Sequence, residues 1–284
     1  MRVGITSPIV TALPGFHSDW ERTAGVEELV RIAEAADLLG FDHLTCSEHV
    51  AVPVEIAEQR GGTYWDPLAT LSFLAARTSR IRLVTQVLVL GYHHPLEIAK
   101  RFGTLDLVSG GRLVLGLGVG SVEEEFDLLG ATFAGRGAVA DDALGALRAS
   151  MGRRLPSHDG PHFRFDGLVV EPHATTPRVP FWIGGYTPRS LRRAREHGDG
   201  WVPFGLPHDR LRAMLDEAPL PDGFEVVLGA GRPLDPLGDP DHTRRAVQRT
   251  RAAGATIVNV HLGANSADHY VEQLEALAEL EEDR

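Results

Sequence analysis

The stretch that decides the fold runs from Ile81 to Gly118 and reads IRLVTQVLVLGYHHPLEIAKRFGTLDLVSGGRLVLGLG. Its first part, Ile81–Leu90, is an almost continuous apolar run, which is typical of a parallel strand covered on both faces. Pro95–Val108 then has helical spacing and ends at Gly110-Gly111, and Leu113–Gly118 is a second strand-like run. The glycines of that second run indicate that something approaches its backbone closely. The stretch therefore predicts a strand, a helix and a further strand.

The same alternation continues on both sides of this stretch. It predicts parallel strands joined by right-handed crossovers, and eight such units close naturally into a (β/α)8, or TIM, barrel of the α/β class. An open doubly wound sheet is the structural alternative. The other predicted strands are Arg2–Ser7, Phe41–Ser47, Phe181–Gly184, Gly200–Phe204, Phe224–Leu228 and Thr256–Leu262, and the other predicted helices are Val26–Leu39, Leu68–Thr78, Gly137–Met151, Pro188–His197, Asp209–Leu215, Thr243–Ala253 and Ala267–Leu280.

One segment, residues 153–180, interrupts this rhythm. It is rich in proline, and its alternating piece His162–Glu171 predicts a small hairpin outside the barrel. Barrels of this kind use about 250 residues for one domain. We therefore interpret residues 1–284 as a single domain with an excursion at about 153–180.

Composition narrows the classes of partner. The chain has 39 acidic and 28 basic residues, a formal charge of −11 that disfavours nucleic acid and anionic membranes as partners. Its apolar runs are too short to span a bilayer, and its opening residues lack the apolar core of a secretion signal, so we expect a cytoplasmic protein. The single cysteine, Cys46, excludes an intrachain disulfide and is predicted to be a buried structural thiol.

The active site of a β/α barrel lies at the carboxyl ends of its strands. This rule draws attention to Glu48 and His49, because a histidine at such a place can shuttle protons or hydrogen-bond a cofactor, although a purely structural histidine is an equal alternative. The same rule selects Ser7 after the first strand, Gln86 to His94 at the third, Gly118, Gly120 and Ser121 after the fourth, Gly184 to Thr187 after the fifth, and His261 after the eighth.

Three local patterns bear on anion and metal binding but indicate function less specifically than the strand-end residues do. Gly184 to Pro188 could bind an anion at the start of a helix that Thr187 caps, although a plain strand-to-helix turn fits as well. The run Glu123–Glu125 favours a solvated helix start. The histidines form no HExxH pattern, so no metal site is predicted.

Three blocks of the chain resemble the bacterial-luciferase-like family of luciferase-like monooxygenases. They are GFDHLTCSEHV (Gly40–Val50), the region Ile81–Leu144, and FWIGGYTPRSLRRAREHGDGW (Phe181–Trp201). The blocks occur in the expected order and together span most of the chain. The resemblance is closest to the actinobacterial branch that is predicted to use coenzyme F420, an 8-hydroxy-5-deazaflavin.

The resemblance implies roles for particular residues. Glu48 and His49 would be the catalytic pair, with His49 facing the redox edge of the ring, and a non-proline cis peptide would fall at Gln86-Val87 and support the ring from behind. The family usually has Asp where this chain has Glu48, and it often has other residues where this chain has Gly91, His93 and Ser121. The implied cofactor-binding residues are Ser7 and Thr85 to Val87 at the first and third strands, Gly118, Val119, Gly120 and Ser121 along the ribityl chain, and Gly184, Gly185, Tyr186 and Thr187 at the phosphate.

The implied activity is hydride transfer between F420 and a small organic substrate. The alternative is a two-component monooxygenase that uses reduced FMN from a separate flavin reductase, and a third reading is a barrel that binds a cofactor or ligand without turnover.

The loop Pro53–Tyr64, with Gly61-Gly62 as its hinge, is the predicted lid. Family resemblance also implies a homodimer.

Overall fold

The computed structural model, which describes residues 2–217 and 219–282, is a closed ring of eight parallel strands surrounded by helices. Each strand pairs in parallel with the next one along the chain, and pairing of the last strand with the first closes the ring. The predicted TIM barrel is therefore confirmed. The ring strands are β1 (Val3–Ile5), β2 (His43–Cys46), β3 (Arg82–Thr85) with its continuation β4 (Leu88–Val89), β5 (Leu113–Gly118), β8 (Phe181–Gly184), β9 (Gly200–Val202), β10 (Glu225–Gly229) and β11 (Ile257–Val260).

The helices lie outside the ring and begin and end largely where the sequence indicates. Gly40 and Gly110 end the first and fourth helices in the left-handed region, and Asp66 caps the third by accepting a hydrogen bond from Ala69 N at 2.7 Å. The second helix was not predicted, and of the fifth only the start at Glu123–Glu125 was. The helices are α1 (Val26–Leu38), α2 (Val54–Arg60), α3 (Pro67–Ala75), α4 (Pro95–Ser109), α5 (Glu123–Leu128), α6 (Arg136–Ser150), α7 (Pro188–His197), α8 (His208–Asp216), α9 (Pro240–Ala252) and α10 (Ala267–Glu282).

Alternating residues of each strand divide the core into two layers. In β5, Leu113, Leu115 and Leu117 belong to the large cluster between the ring and the helices, whereas Val114 points into the ring. The interior layer is a separate cluster of buried side chains, namely Val84, Val114, Trp182, Val202, Val227 and Ile257. The barrel is thus filled with side chains below its carboxyl end, which is the end where β/α barrels build their active sites.

A charged network lies inside the amino-terminal end of the ring. The fully buried His43 donates from Nδ1 to Asp42 at 2.9 Å, and Arg82 binds the same carboxylate. Arg82 also reaches Glu225 at 3.2 Å, and Trp182 donates to Glu225 at 2.8 Å. The first residues of three strands are therefore tied together across the bottom of the barrel.

The excursion contains a hairpin, but not where it was predicted. The antiparallel strands are β6 (His158–Asp159) and β7 (Arg164–Phe165), so the prediction of His162–Glu171 was wrong. The reason is Asp142 on α6, whose carboxylate accepts hydrogen bonds from His162 N and Phe163 N at 2.7 and 2.8 Å. These bonds place the turn at His162 and Phe163, where the predicted hairpin begins.

Two further features bear on the sequence predictions. Cys46 is buried, as predicted, and this burial raises the pKa of its thiol to about 12. In the described part of the chain, the helices are either too short or too polar to cross a membrane.

Candidate active site

The third strand breaks at a cis peptide bond between Gln86 and Val87, at the position that the family resemblance implied. Beyond the break, the side chain of Val87 lies where two glycines leave room for it. A Cβ atom on Gly118 would come within 2.6 Å of Val87 Cγ2, and one on Gly184 within 2.9 Å of Val87 Cγ1. The carboxyl ends of the third, fourth and fifth ring strands therefore meet around one side chain.

A second close approach explains another glycine of β5. A Cβ atom on Gly116 would lie 1.8 Å from the carbonyl oxygen of Thr85, and Thr85 Oγ1 donates to Gly116 O at 2.8 Å. The sequence predicted that something approaches this backbone, and within the protein it is the broken third strand that does so. Thr85 itself is fully buried, so its side chain holds two strands together.

Glu48 does not pair with its neighbour His49. Its carboxylate is only 7% exposed and accepts hydrogen bonds from Val89 N at 2.6 Å and His93 Nε2 at 2.7 Å. Burial alone would lower the pKa of His93, but the hydrogen bond and charge of Glu48 outweigh it, so the pKa is raised. Glu48 thus ties the end of the second strand to the segment beyond the cis peptide.

His49 pairs instead with Glu125, on the helix after the fourth strand. Its Nδ1 donates to Glu125 Oε2 at 2.7 Å, and its ring meets that of Tyr64 edge-on at 4.5 Å between centroids. The side chain of His49 is 20% exposed, whereas that of Glu125 is fully buried. No other described residue hydrogen-bonds to Nε2 of His49, so this nitrogen is available at the mouth of the barrel.

Glu125 is the centre of this network. It also accepts hydrogen bonds from the Tyr92 hydroxyl at 2.7 Å and from the N–H of Val50. Burial would raise the pKa of this carboxyl, but the bonds from His49, Tyr92 and Val50 lower it below its usual value. The pKa of Tyr92 is raised, mainly by burial and also by its hydrogen bond to this carboxylate. Glu125 is therefore a buried carboxylate that is held ionised by its donors.

The prediction of a solvated helix start was wrong for Glu125, although Glu123 and Glu124 are indeed exposed. A signal for this difference exists in the sequence. Val122 and Phe126 are both buried, and Glu125 lies between them on the same helical face, one turn after Val122. Reading the three glutamates by helical position rather than as a run would have separated them. Tyr92 and His93 fall within the range Gln86 to His94 that the strand-end rule selects, but no sequence pattern assigned a partner to either of them.

The turn after the fifth strand has the geometry expected from its sequence. Thr187 caps α7 by accepting from Ser190 N at 3.2 Å, and Pro188 occupies the first turn. Gly185 has a φ of 123°, which only glycine adopts readily. Tyr186 is exposed, and its ring lies 6.1 Å from that of Phe204, two residues after the sixth strand. The turn thus opens onto the rim of the mouth.

The residues after the fourth strand have mixed surroundings. Gly120 has a φ of 77°, and a Cβ atom there would come within 2.5 Å of Phe126, so helix α5 requires glycine at this place. Val119 is half-buried, and the exposed Ser121 accepts a hydrogen bond from Arg60 at 3.2 Å. Arg60 ends the helix of the predicted lid, so the lid contacts the fourth strand's loop across the mouth.

The lid segment is also attached to the loop after the first strand. Ala12 N donates to Thr63 O at 3.2 Å, and Thr11 and Tyr64 form an antiparallel bridge. A Cβ atom on Gly61 would lie 1.9 Å from Ala12 O, so this predicted hinge residue is packed tightly. The segment predicted as a loop contains helix α2.

Polar side chains cover the apolar interior just below the mouth. Asn259 of β11 donates from Nδ2 to Thr6 Oγ1 at 2.9 Å and to Gln86 Oε1 at 3.4 Å. Two buried oxygen atoms of this region, Ser7 Oγ and Asn259 Oδ1, hydrogen-bond to no described residue. Across residues 2–217 and 219–282, no group of three or more His, Cys, Asp or Glu side chains is arranged to hold a metal ion.

Solved structures share the whole fold. Monooxygenase RslO1 from Streptomyces bottropensis is 23% identical, with a TM-score of 0.79 and 98% of each chain covered. The coenzyme F420-dependent tetrahydromethanopterin reductase from Methanopyrus kandleri is 15% identical, with a TM-score of 0.72 and coverage of 97% of this chain and 96% of that one. The oxygenating constituent of 3,6-diketocamphane monooxygenase from Pseudomonas putida, in complex with FMN, is 16% identical, with a TM-score of 0.71 and coverage of 98% and 97%. These neighbours include both F420- and FMN-dependent enzymes.

The family model described as luciferase-like monooxygenase matches residues 7–219, which is most of the chain. This region contains the broken third strand, the two pairs Glu48–His93 and Glu125–His49, and the turn after the fifth strand. The chain belongs to the luciferase-like monooxygenase family.

Proposed function

We propose that the protein is an oxidoreductase that transfers a hydride between coenzyme F420 and a small organic substrate. One observation carries this proposal: His49 presents a free Nε2 at the mouth while a buried carboxylate, Glu125, holds its other nitrogen. A histidine held in this way can give or take a proton at a fixed place. The similarity to an F420-dependent reductase supports the choice of cofactor.

The residues at the mouth suit a flat ring with a phosphorylated side chain. Buried oxygen atoms without partners, Ser7 Oγ and Asn259 Oδ1, can bind polar groups of a ring, and the capped start of α7 favours an anion. The residues that would hold the cofactor are Gln86 and Val87 behind the ring, Gly118 to Ser121 along its side chain, and Gly184 to Thr187 at the phosphate. When bound, the deazaflavin supplies the hydride chemistry.

The protein's own residues control the proton. Because Glu125 accepts the Nδ1 hydrogen of His49, it keeps Nε2 pointing to the mouth and stabilises the positive charge that the ring gains when Nε2 is protonated. The Tyr92 hydroxyl and the Val50 N–H hold the carboxylate in place. Tyr64 covers one edge of the imidazole and shields it from water. His49 is thus the proposed proton donor or acceptor, and Glu125 is a positioning residue.

Glu48, the other member of the implied catalytic pair, has a supporting part in this proposal. Both of its oxygens are engaged by Val89 N and His93. It orients the segment beyond the cis peptide, against which the ring would lie. We therefore assign it the role of positioning the bulge rather than that of moving a proton.

A second candidate function is a two-component monooxygenase that takes reduced FMN from a separate flavin reductase. The observation that favours it is the likeness to monooxygenase RslO1, whose TM-score of 0.79 exceeds that of the F420-dependent reductase, 0.72. The two functions would use the same fold, so only the cofactor distinguishes them.

Equilibrium titration of the purified protein with F420 and with FMN tests this proposal. We expect saturable binding of F420, followed by its fluorescence, and hydride transfer with at least one member of a panel of carbonyl, alcohol and imine compounds. The variant His49→Asn should still bind F420 but transfer the hydride far more slowly. Tight binding of FMN without binding of F420 would replace the first function by the second.

A further inference from the structure

The side chain of Asn259 lies inside the barrel, on top of the apolar interior. It follows Ile257 along β11 by two residues, so both point inward, and Asn259 is nearer the carboxyl end. Its amide nitrogen donates to Thr6 Oγ1 at 2.9 Å and to Gln86 Oε1 at 3.4 Å. Three strand ends, the first, the third and the eighth, are thereby joined by one amide group.

The amide oxygen of Asn259 lacks a hydrogen-bond partner. The residue is only 5% exposed, and its Oδ1 is buried without a hydrogen-bond partner among the described residues. Buried polar atoms in native proteins almost always have a partner, so such an acceptor calls for a donor from a ligand or from water. Since Nδ2 already has two acceptors, only the oxygen end of this amide lacks a partner among the described residues.

The strands on either side of Asn259 show where there is room for a donor. By strand register it lies between Gly4 of β1 and Gly229 of β10. The space over Gly4 is filled by the ring of His43, which would lie 2.1 Å from a Cβ atom there. Gly229 is exposed, and a Cβ atom on it would meet nothing within 4 Å. The open side of Asn259 is therefore the side toward Gly229, at the mouth.

Gln86 adds a donor beside this acceptor. Its Oε1 receives the hydrogen bond from Asn259, while its own amide nitrogen binds no described residue. The pair thus offers an acceptor and a donor side by side at the level of the cis peptide. A ring N–H group flanked by a carbonyl group matches this arrangement.

We propose that Asn259 Oδ1 accepts a hydrogen bond from the ring N–H that lies between two carbonyl groups in the pyrimidinedione ring of the bound cofactor. This inference rests on the proposed function. Flavins and deazaflavins share this ring, so the contact recognises the class of cofactor, and features elsewhere would distinguish FMN from F420. The Gln86 amide nitrogen would donate to the adjacent carbonyl group.

The test compares ligands that have and lack the ring hydrogen. Affinities of the full-length protein are measured for FMN and 3-methyl-FMN, and for 5-deaza-FMN and its 3-methyl derivative, so that both ring types are covered. The wild type should prefer each N–H form at least tenfold over its methylated form. In Asn259→Ala the affinity for the N–H form should fall about tenfold, which corresponds to about 1.4 kcal/mol, while that for the methylated form stays unchanged.

Controls separate this inference from folding and from the proposed function. Asn265→Ala removes an exposed amide after the same strand and should keep the wild-type preference. Thermal unfolding checks each variant, and Asn259→Val, whose side chain accepts no hydrogen bond, serves as a second apolar change if the alanine variant is unstable. Equal binding of the N–H and N-methyl forms by the wild type, or an unaltered preference in either variant at position 259, would overturn the contact and leave an internal water as the donor. Failure of the wild type to bind any flavin or deazaflavin would instead overturn the proposed function, and the contact with it.

Discussion

Two histidines, one at the start of the second strand and one three residues after its end, pair with carboxylates at opposite ends of the barrel. At the amino-terminal end, His43 donates to Asp42 at 2.9 Å and is fully buried. At the carboxyl end, six residues later, His49 donates to Glu125 at 2.7 Å and remains 20% exposed. A histidine–carboxylate pair is therefore shut off from solvent at one end of the barrel and accessible to solvent at the other.

The surroundings give the two pairs different chemistry. Burial lowers the pKa of His43, although its bond to Asp42 acts in the opposite direction. Burial would raise the pKa of Asp42, but His43 and Arg82 hold it well below its usual value. In the lower pair, His43 and Asp42 at the amino-terminal end, the imidazole thus stays neutral beside a carboxylate whose charge Arg82 already balances. The upper pair, His49 and Glu125 at the carboxyl end, has no arginine against its carboxylate among the described residues, and one imidazole nitrogen is free. The lower pair stabilises the barrel, and the upper pair can move a proton.

The largest expected effect is that of His49→Asn on hydride transfer. We expect turnover to fall about 100- to 10,000-fold, because a positioned acid or base is lost, while cofactor affinity changes little. Single-turnover rates with the bound cofactor measure this. A change in rate of less than about threefold would show that the upper pair is as structural as the lower one.

The corresponding change at the lower end should affect stability instead. Asp42→Asn leaves Arg82 and His43 without their shared charged partner in a mostly buried place, which costs about 3 kcal/mol of unfolding free energy. Urea denaturation measures the loss. Turnover per folded molecule should stay at the wild-type value, and a parallel loss of turnover would contradict the division between the two ends.

Glu125→Gln should have an intermediate effect. The neutral amide cannot stabilise the protonated imidazole, so we expect turnover to fall about 10- to 100-fold and its pH profile to change, with cofactor affinity preserved. Glu124→Gln, on the exposed face of the same helix, is the matched control. An unaltered pH profile in the Glu125 variant would exclude an action through His49.

The smallest effect concerns a third histidine, His261, after the eighth strand. Burial lowers its pKa from 6.5 to about 4, and its ring lies 4.8 Å from that of Phe16. The unfolded chain therefore takes up this proton more readily than the folded one, so stability is present above about pH 6.5 and is lost as the pH falls. We expect a loss of about 1 kcal/mol between about pH 7.5 and pH 6, and His261→Gln should remove that part of the slope in urea denaturation.

Most of the fold could be predicted because parallel strands that are buried on both faces consist of nearly continuous runs of apolar residues. β5 and β8 begin and end where the sequence indicates. β9 begins at Gly200 as predicted but ends at Val202, two residues early, because Phe204 continues the apolar pattern in the sequence although Pro203 lacks the N–H group that a strand needs. The hairpin was misplaced because its turn depends on Asp142, sixteen residues before His158. No local pattern reports such a bond.

The candidate site could be predicted only in part, for the same reason. The position of His49 follows from the strand-end rule, and the cis peptide at Gln86-Val87 follows from family resemblance. The partner of His49 could not be read locally, since Glu125 is 76 residues away and lies within a run of three glutamates. Asn259 likewise meets Gln86 only because the ring is closed.

The side chain of Val87, seated in the gaps left by Gly118 and Gly184, makes three positions of the barrel dependent on one another. A methyl group added at either glycine occupies volume that a valine methyl already fills, so such a change is tolerated only if residue 87 becomes smaller. Sequence variation at these three positions should therefore be correlated. The depth available to a ligand above the barrel is set jointly by three strands and cannot be altered from one of them alone.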